Sequence, residues 1–142
     1  MVRTEAKEKA LNGGFSGILI DGPPGIGCPV IASITGTSLA VIVTEPTASG
    51  IHDLERIVQL TRHFNVPAAC VINKGDINPD HTGSIQEYCR TNNIQVLGEI
   101  PYDTGISEAQ RQGKAIVEYA PDSPASRAIG GIAERIKSFY KE

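Results

Sequence analysis

Ile18-Leu19-Ile20-Asp21-Gly22-Pro23-Pro24-Gly25-Ile26-Gly27 is the stretch from which the rest of the chain is read. A short aliphatic run ends in one carboxylate and passes into a loop of glycines and prolines. A run that is apolar on both faces predicts a buried strand over 17–21. Asp21 then falls at the strand's C-terminal end, where open α/β sheets place their ligands. A carboxylate there can hold Mg²⁺, directly or through water, beside the phosphates of a nucleotide. Gly22, Gly25 and Gly27 let the backbone move or approach a phosphate closely. The same residues also fit a plain strand followed by a turn with a surface aspartate, so the motif acquires meaning only from its neighbours.

Downstream, apolar runs and helical spacings alternate. Strands are predicted over 39–44, 68–72 and 95–100, each followed by a polar or conformationally special loop. Between them, Leu54, Ile57, Val58, Thr61 and Phe64 recur at helical spacing, and a weaker helix over 82–91 turns Ile85, Tyr88 and Cys89 inward. Short helices are expected at 4–11, 29–34 and 107–112. Ser123-Pro124, a cap followed by proline, opens a last helix whose stripe runs from Ala125 through Ile129, Ile132 and Ile136 to Phe139. Four strands alternating with helices predict an α/β fold, a three-layer and mostly parallel sheet with flanking helices and right-handed crossovers. The loops at 21–27, 44–50, 73–78 and 101–105 would then gather at one sheet edge. No linker or repeat divides residues 1–142, so one domain is expected.

Composition narrows the function. With 40% hydrophobic and 20% charged residues the chain reads as a globular domain. A net charge of −3 and a pI near 5.6 argue against nucleic acid as a partner, and an aromatic share of 5% without Trp argues against a base-stacking platform. No aliphatic run is long enough for a membrane span, and the charged first ten residues lack the apolar core of a secretory signal, so a cytoplasmic location is expected. Cys28, Cys70 and Cys89 are far apart and form no CxxC pair, so this chain by itself is expected to hold no iron–sulfur cluster. His52, His63 and His81 show no metal-ligand spacing.

Asn73-Lys74-Gly75-Asp76 follows a predicted strand and has the make-up of a base-recognition loop. An asparagine amide offers both a donor and an acceptor to a purine edge, and the aspartate could accept from guanine N–H groups, as in the NKxD element of GTPases. A polar turn would use the same residues.

Taken in order, 18–33, Val43-Thr44-Glu45-Pro46-Thr47, Val71-Ile72-Asn73-Lys74 and Glu99-Ile100-Pro101-Tyr102-Asp103 resemble successive blocks of the MinD/ParA/Mrp superfamily of P-loop ATPases. The branch most similar is the one whose full-length members carry an inserted ferredoxin-like [4Fe–4S] domain. By that resemblance Asp21 corresponds to the Walker B carboxylate that organises Mg²⁺, here expected to act through water. Gly22-Pro23-Pro24-Gly25 corresponds to switch II, with Gly25 sensing the γ-phosphate and Pro23 and Pro24 beside it. Asn73 corresponds to the adenine-reading residue, with Lys74 and Asp76 in its loop, and Pro101-Tyr102-Asp103 to the segment beside base and ribose. ATP and Mg²⁺ are the ligands the resemblance implies.

The phosphate-holding GxxxxGK[ST] loop of that family does not occur in these 142 residues. Gly113-Lys114-Ala115 comes nearest, with Glu108 where the first glycine belongs and Ala115 where serine or threonine belongs. The resemblance therefore implies the C-terminal portion of such an ATPase, with P-loop and cluster insert in a segment before Met1. No ATP hydrolysis is expected from this chain alone, since backbone amides and a lysine supply most of the phosphate stabilisation. The expected partner is a P-loop-bearing N-terminal half or a second copy, pairing through an exposed strand edge. Two other readings stay open: a guanine-nucleotide-binding protein, and a non-catalytic interaction domain that keeps the fold. A dinucleotide-binding enzyme is not supported, because Val30 replaces the last glycine of a GxGxxG in Gly25-Ile26-Gly27-Cys28-Pro29-Val30.

Overall fold

Strand β2 (Ala68–Asn73) is the centre of the molecule, paired in parallel with β1 (Ala40–Thr44) on one side and β3 (Gln95–Ile100) on the other. The computed structural model describes residues 2–139. Its helices are α1 (Val2–Asn12), α2 (Cys28–Ile34), α3 (Ala48–His63), α4 (Pro79–Thr91), α5 (Thr104–Arg111), α6 (Ile116–Tyr119) and α7 (Pro124–Ser138).

The period of two along β2 separates two cores. Cys70 and Ile72 pack with Leu54 and Val58 of α3 and with Ile85 and Cys89 of α4. Ala69 and Val71 face the opposite way, toward Leu97 of β3 and Ile132 of α7. Helices therefore cover both faces of a parallel sheet, the three-layer α/β architecture expected. Leu54, Ile72, Ile85 and Leu97 are almost wholly buried, each worth roughly 1.5–3 kcal/mol in removal of apolar surface from water. The thiols of Cys70 and Cys89 meet in this core. Their hydrogen bond, reinforced by burial, holds the Cys70 thiol far above its ordinary pKa, which keeps it protonated and unreactive.

Local chemistry sets the helix ends. Thr47 accepts the Gly50 amide at 3.0 Å, Asn78 accepts that of His81 at 3.1 Å, and Ser123 accepts that of Ser126 at 3.1 Å. Pro79 and Pro124 occupy first-turn positions where no amide hydrogen is needed. Asn65 and Asn93 stop α3 and α4 with φ of 53° and 56°. Helix α4 starts three residues earlier than expected because Asn78-Pro79 is a cap with its proline, and α5 starts earlier because Asp103 caps it. Helix α6, four residues long, escapes periodic analysis altogether.

One expectation is corrected. Residues 17–21 form no strand, and the described sheet has three strands rather than four. An aliphatic run becomes a strand only beside a hydrogen-bonding neighbour, and β1 pairs only with β2 among the described residues. Ile18-Leu19-Ile20-Asp21 is thus irregular and largely exposed, with Leu19 at 89%. Asp21 accordingly does not stand at a strand end. The segment leads into α2, which packs Val30 and Ile34 against Val66, Ala40 and Leu60.

Candidate functional site

Because all three strands run the same way, their C-terminal ends deliver three loops to one edge. Register decides which residues meet there. Thr44 of β1 lies opposite Ile72 of β2, so the next residues, Glu45 and Asn73, become neighbours. Asn73 Nδ2 donates to Glu45 Oε1 at 3.3 Å, and Lys74 Nζ pairs with the same oxygen at 2.9 Å. Both ion-pair side chains remain partly exposed, so the pair orients more than it stabilises. Lys74 turns the chain after Asn73 with φ of 54°, in the left-handed region.

On the other side, the Gly75 amide donates to the Ile100 carbonyl at 3.1 Å, tying the loop to the end of β3. The Tyr102 amide donates to Asp76 Oδ1 at 2.7 Å. Thr82 Oγ1 donates to the Gly75 carbonyl at 2.7 Å in a buried position. Five contacts thus hold 73–76 from α4 and from the ends of β1 and β3 at once.

Between these loops lies a cavity of about 90 Å³ lined by Asn73, Lys74, Pro101, Tyr102, Asp103, Ile106 and Ser107. Drug-sized ligands occupy pockets of roughly 300–1,000 Å³, so this one suits the edge of a planar ring rather than a whole nucleotide. Its polar residues are Asn73, Lys74, Asp103 and Ser107, and its apolar surface includes Pro101, Ile106 and the ring of Tyr102, a residue 57% exposed. Five of the residues singled out from sequence meet here, drawn from two strand ends. Asp76 stands behind the wall as a brace.

Asp103 has a structural duty as well. Its Oδ1 accepts the Gly105 amide at 2.9 Å, and its Oδ2 accepts the Ala125 amide at 3.4 Å. Those bonds, that of Gly105 foremost, hold its carboxyl below the usual pKa. A lowered pKa contributes stability that is present above the unfolded-state value and is lost as pH falls through the native one. Asp103→Ala should therefore lower Tm at neutral pH, and the gap to the native chain should close as acid titrates Asp103. A gap that stays constant to the lowest pH would contradict this.

Asp21, Pro23, Pro24 and Gly25 lie elsewhere, in the exposed segment before α2, outside the cavity lining. Among the described residues no group of three or more His, Cys, Asp or Glu side chains could hold a metal ion. Asp21 is a single exposed carboxylate, and a Mg²⁺ ion held by one carboxylate takes its other ligands from phosphates and water. Gly113-Lys114 falls in the turn between α5 and α6 rather than between a strand and a helix. Sequence reasoning passed over Glu45, Ile106 and Ser107. Glu45 was visible only as part of a loop, since nothing but strand register puts it against Asn73.

Residues 12–137 match the model of the ParA family described as NUBPL iron-transfer P-loop NTPase. The chain belongs to that family. An iron–sulfur cluster carrier protein of Aquifex aeolicus is 28% identical over 134 residues, covering 86% of this chain and 37% of the relative. An uncharacterized protein of Methanocaldococcus jannaschii is 29% identical over 121 residues, covering 85% of this chain and 40% of its own length. This ParA-family chain thus spans about two fifths of the curated relatives it matches. Among solved structures, the cell division ATPase MinD of Pyrococcus furiosus superposes with a TM-score of 0.74 at 26% identity, covering 92% of this chain and 55% of that one. MinD of Pyrococcus horikoshii, solved with Mg-ADP, gives 0.73 at 25% identity over 90% and 53%. Among the described residues, no helix of the ParA-family chain is long and apolar enough to cross a membrane.

Proposed function

We propose that this chain supplies the adenine-binding edge of a ParA-type P-loop ATPase and does not hydrolyse ATP unaided. The observation that carries the proposal is the cavity in which Asn73, Lys74, Pro101, Tyr102 and Asp103 converge from two strand ends. The Asn73 amide reads the purine edge, the exposed Tyr102 ring and Pro101 cover its face, and Asp103 holds their loop by capping α5. The family match and the Mg-ADP complex of the Pyrococcus horikoshii relative support a nucleotide as the ligand.

Binding of the phosphates and Mg²⁺ requires a P-loop, which this sequence does not contain. In this proposal the partner that pairs along the outer edge of β1 is a P-loop-bearing N-terminal half, which supplies the phosphate site, or else a second copy of this chain, which does not. That edge has no strand neighbour among the described residues, and Val43 on it is 63% exposed. Asp21 would serve Mg²⁺ only in such an assembly. The name of the family and the Aquifex aeolicus relative support an iron–sulfur cluster as the cargo handled by the whole protein. Adenine is favoured over guanine because Asp76 is outside the cavity lining and its Oδ1 accepts the Tyr102 amide, which turns it to bracing the loop. The same exposed β1 edge favours the second reading, a non-catalytic interaction domain.

Titration calorimetry with ATP and GTP, each with Mg²⁺, separates these readings. The native chain should bind ATP weakly and GTP more weakly. Asn73→Ala should reduce ATP affinity about tenfold, the size of one good hydrogen-bonding contact. Absence of binding by the native chain would leave the interaction domain. Equal binding by native chain and variant would remove Asn73 from the site.

A further inference from the structure

The contact between Glu45 and Asn73 has a chemical sense as well as a position. A carboxylate only accepts hydrogen bonds, so the atom of Asn73 that faces Glu45 Oε1 at 3.3 Å must be the amide nitrogen. Turning the amide over would set two acceptors against each other. Lys74 Nζ, 2.9 Å from the same oxygen, holds the carboxylate in place. One N–H of Asn73 is thereby spent on Glu45, and the oxygen and the second N–H keep a fixed arrangement.

An unfixed asparagine is ambivalent, since it can offer either its oxygen or its nitrogen to the group at position 6 of a purine. Adenine carries a donor there, the amino group, and guanine an acceptor, O6, while N7 accepts in both. Resting on the adenine-site reading above, we propose that Glu45 is a specificity-positioning residue. By accepting one N–H of Asn73, it turns an ambivalent amide into a selector for 6-amino over 6-oxo purines. With the amide held, its oxygen meets the adenine amino group, whereas O6 of a 6-oxo purine would meet an oxygen.

ITP is the appropriate competitor, because it differs from ATP at position 6 without the 2-amino group of guanine. Affinities of ATP and ITP, measured on the native chain and on Glu45→Gln, give the test. Glutamine has nearly the same shape but can donate as well as accept, so both orientations of Asn73 become allowed. The ATP-to-ITP affinity ratio should fall about tenfold, the consequence of one misdirected hydrogen bond being relieved. A purely structural role for Glu45 would weaken both nucleotides together and leave the ratio unchanged. That result, in a native chain that prefers ATP, overturns the role of Glu45 and leaves the adenine site standing. A native chain that binds neither nucleotide overturns the adenine site and this assignment with it.

Discussion

Gly50→Ala should destabilise the fold by up to about 2 kcal/mol and loosen the candidate site, although alanine is the better helix former. Gly50 lies in the first turn of α3, between Thr44 and Thr47. Its carbonyl accepts Thr44 Oγ1 at 2.9 Å while its amide donates to Thr47 Oγ1. A Cβ added there would overlap the Glu45 carbonyl oxygen and lie 3.0 Å from Thr44 Oγ1 and 3.1 Å from Thr47 Oγ1. The first of these is backbone, so no rotamer change relieves it, and the 45–47 loop itself must shift. Propensity alone favours alanine by roughly 1 kcal/mol, and overpacking costs about 1–3, so the clash dominates. For a chain of this length each kcal/mol moves Tm by about 3–4 °C. Since Glu45 orients Asn73, the variant should lose purine discrimination at the same time. A Tm equal to or above that of the native chain would show that the loop has room to yield.

Ile72→Ala should cost more, about 2–5 kcal/mol. Ile72 is fully buried in the middle strand, packed in the core shared with α3 and α4. Neither helix can close the cavity without pulling away from the other's contacts. Where domains of ordinary stability have about 5–15 kcal/mol in total, this one side chain decides whether the chain stays folded on warming. Urea unfolding should show a lower midpoint with an unchanged slope. A midpoint within experimental error of the native one would mean that the sheet and helices repack around the gap.

The sequence disclosed these elements unequally, for physical reasons. The apolar run 68–72 and the mixed run 95–100, with Val96, Leu97 and Ile100, are short and bounded by turn chemistry, and both became strands within a residue of the expected limits. Residues 17–21 carry the same local signal and form none, because pairing depends on a neighbour that local composition does not encode. The meeting of Asn73-Lys74 with Pro101-Tyr102-Asp103 was legible since each follows a strand, and parallel strands bring such loops together. Glu45 was not, for a carboxylate in a loop looks like any surface charge until the pairing of Thr44 with Ile72 fixes its neighbour. Asp103 was read as a ligand-side residue, whereas its hydrogen bonds also make it the cap of α5.

The central place of β2 has a kinetic consequence. Its partners lie a whole helix away on either side, Ala40 opposite Ala68 and Ala69 opposite Gln95, so neither pairing forms by a local hairpin. Each must close a long loop before any contact rewards it, which slows folding relative to helical bundles of equal size. The cavity draws on the ends of β2 and β3 and takes its orientation from β1, so it does not exist in a partly zipped sheet. A nucleotide bound there, as proposed, should therefore probe the whole cooperative unit and raise the melting temperature by mass action as its concentration increases.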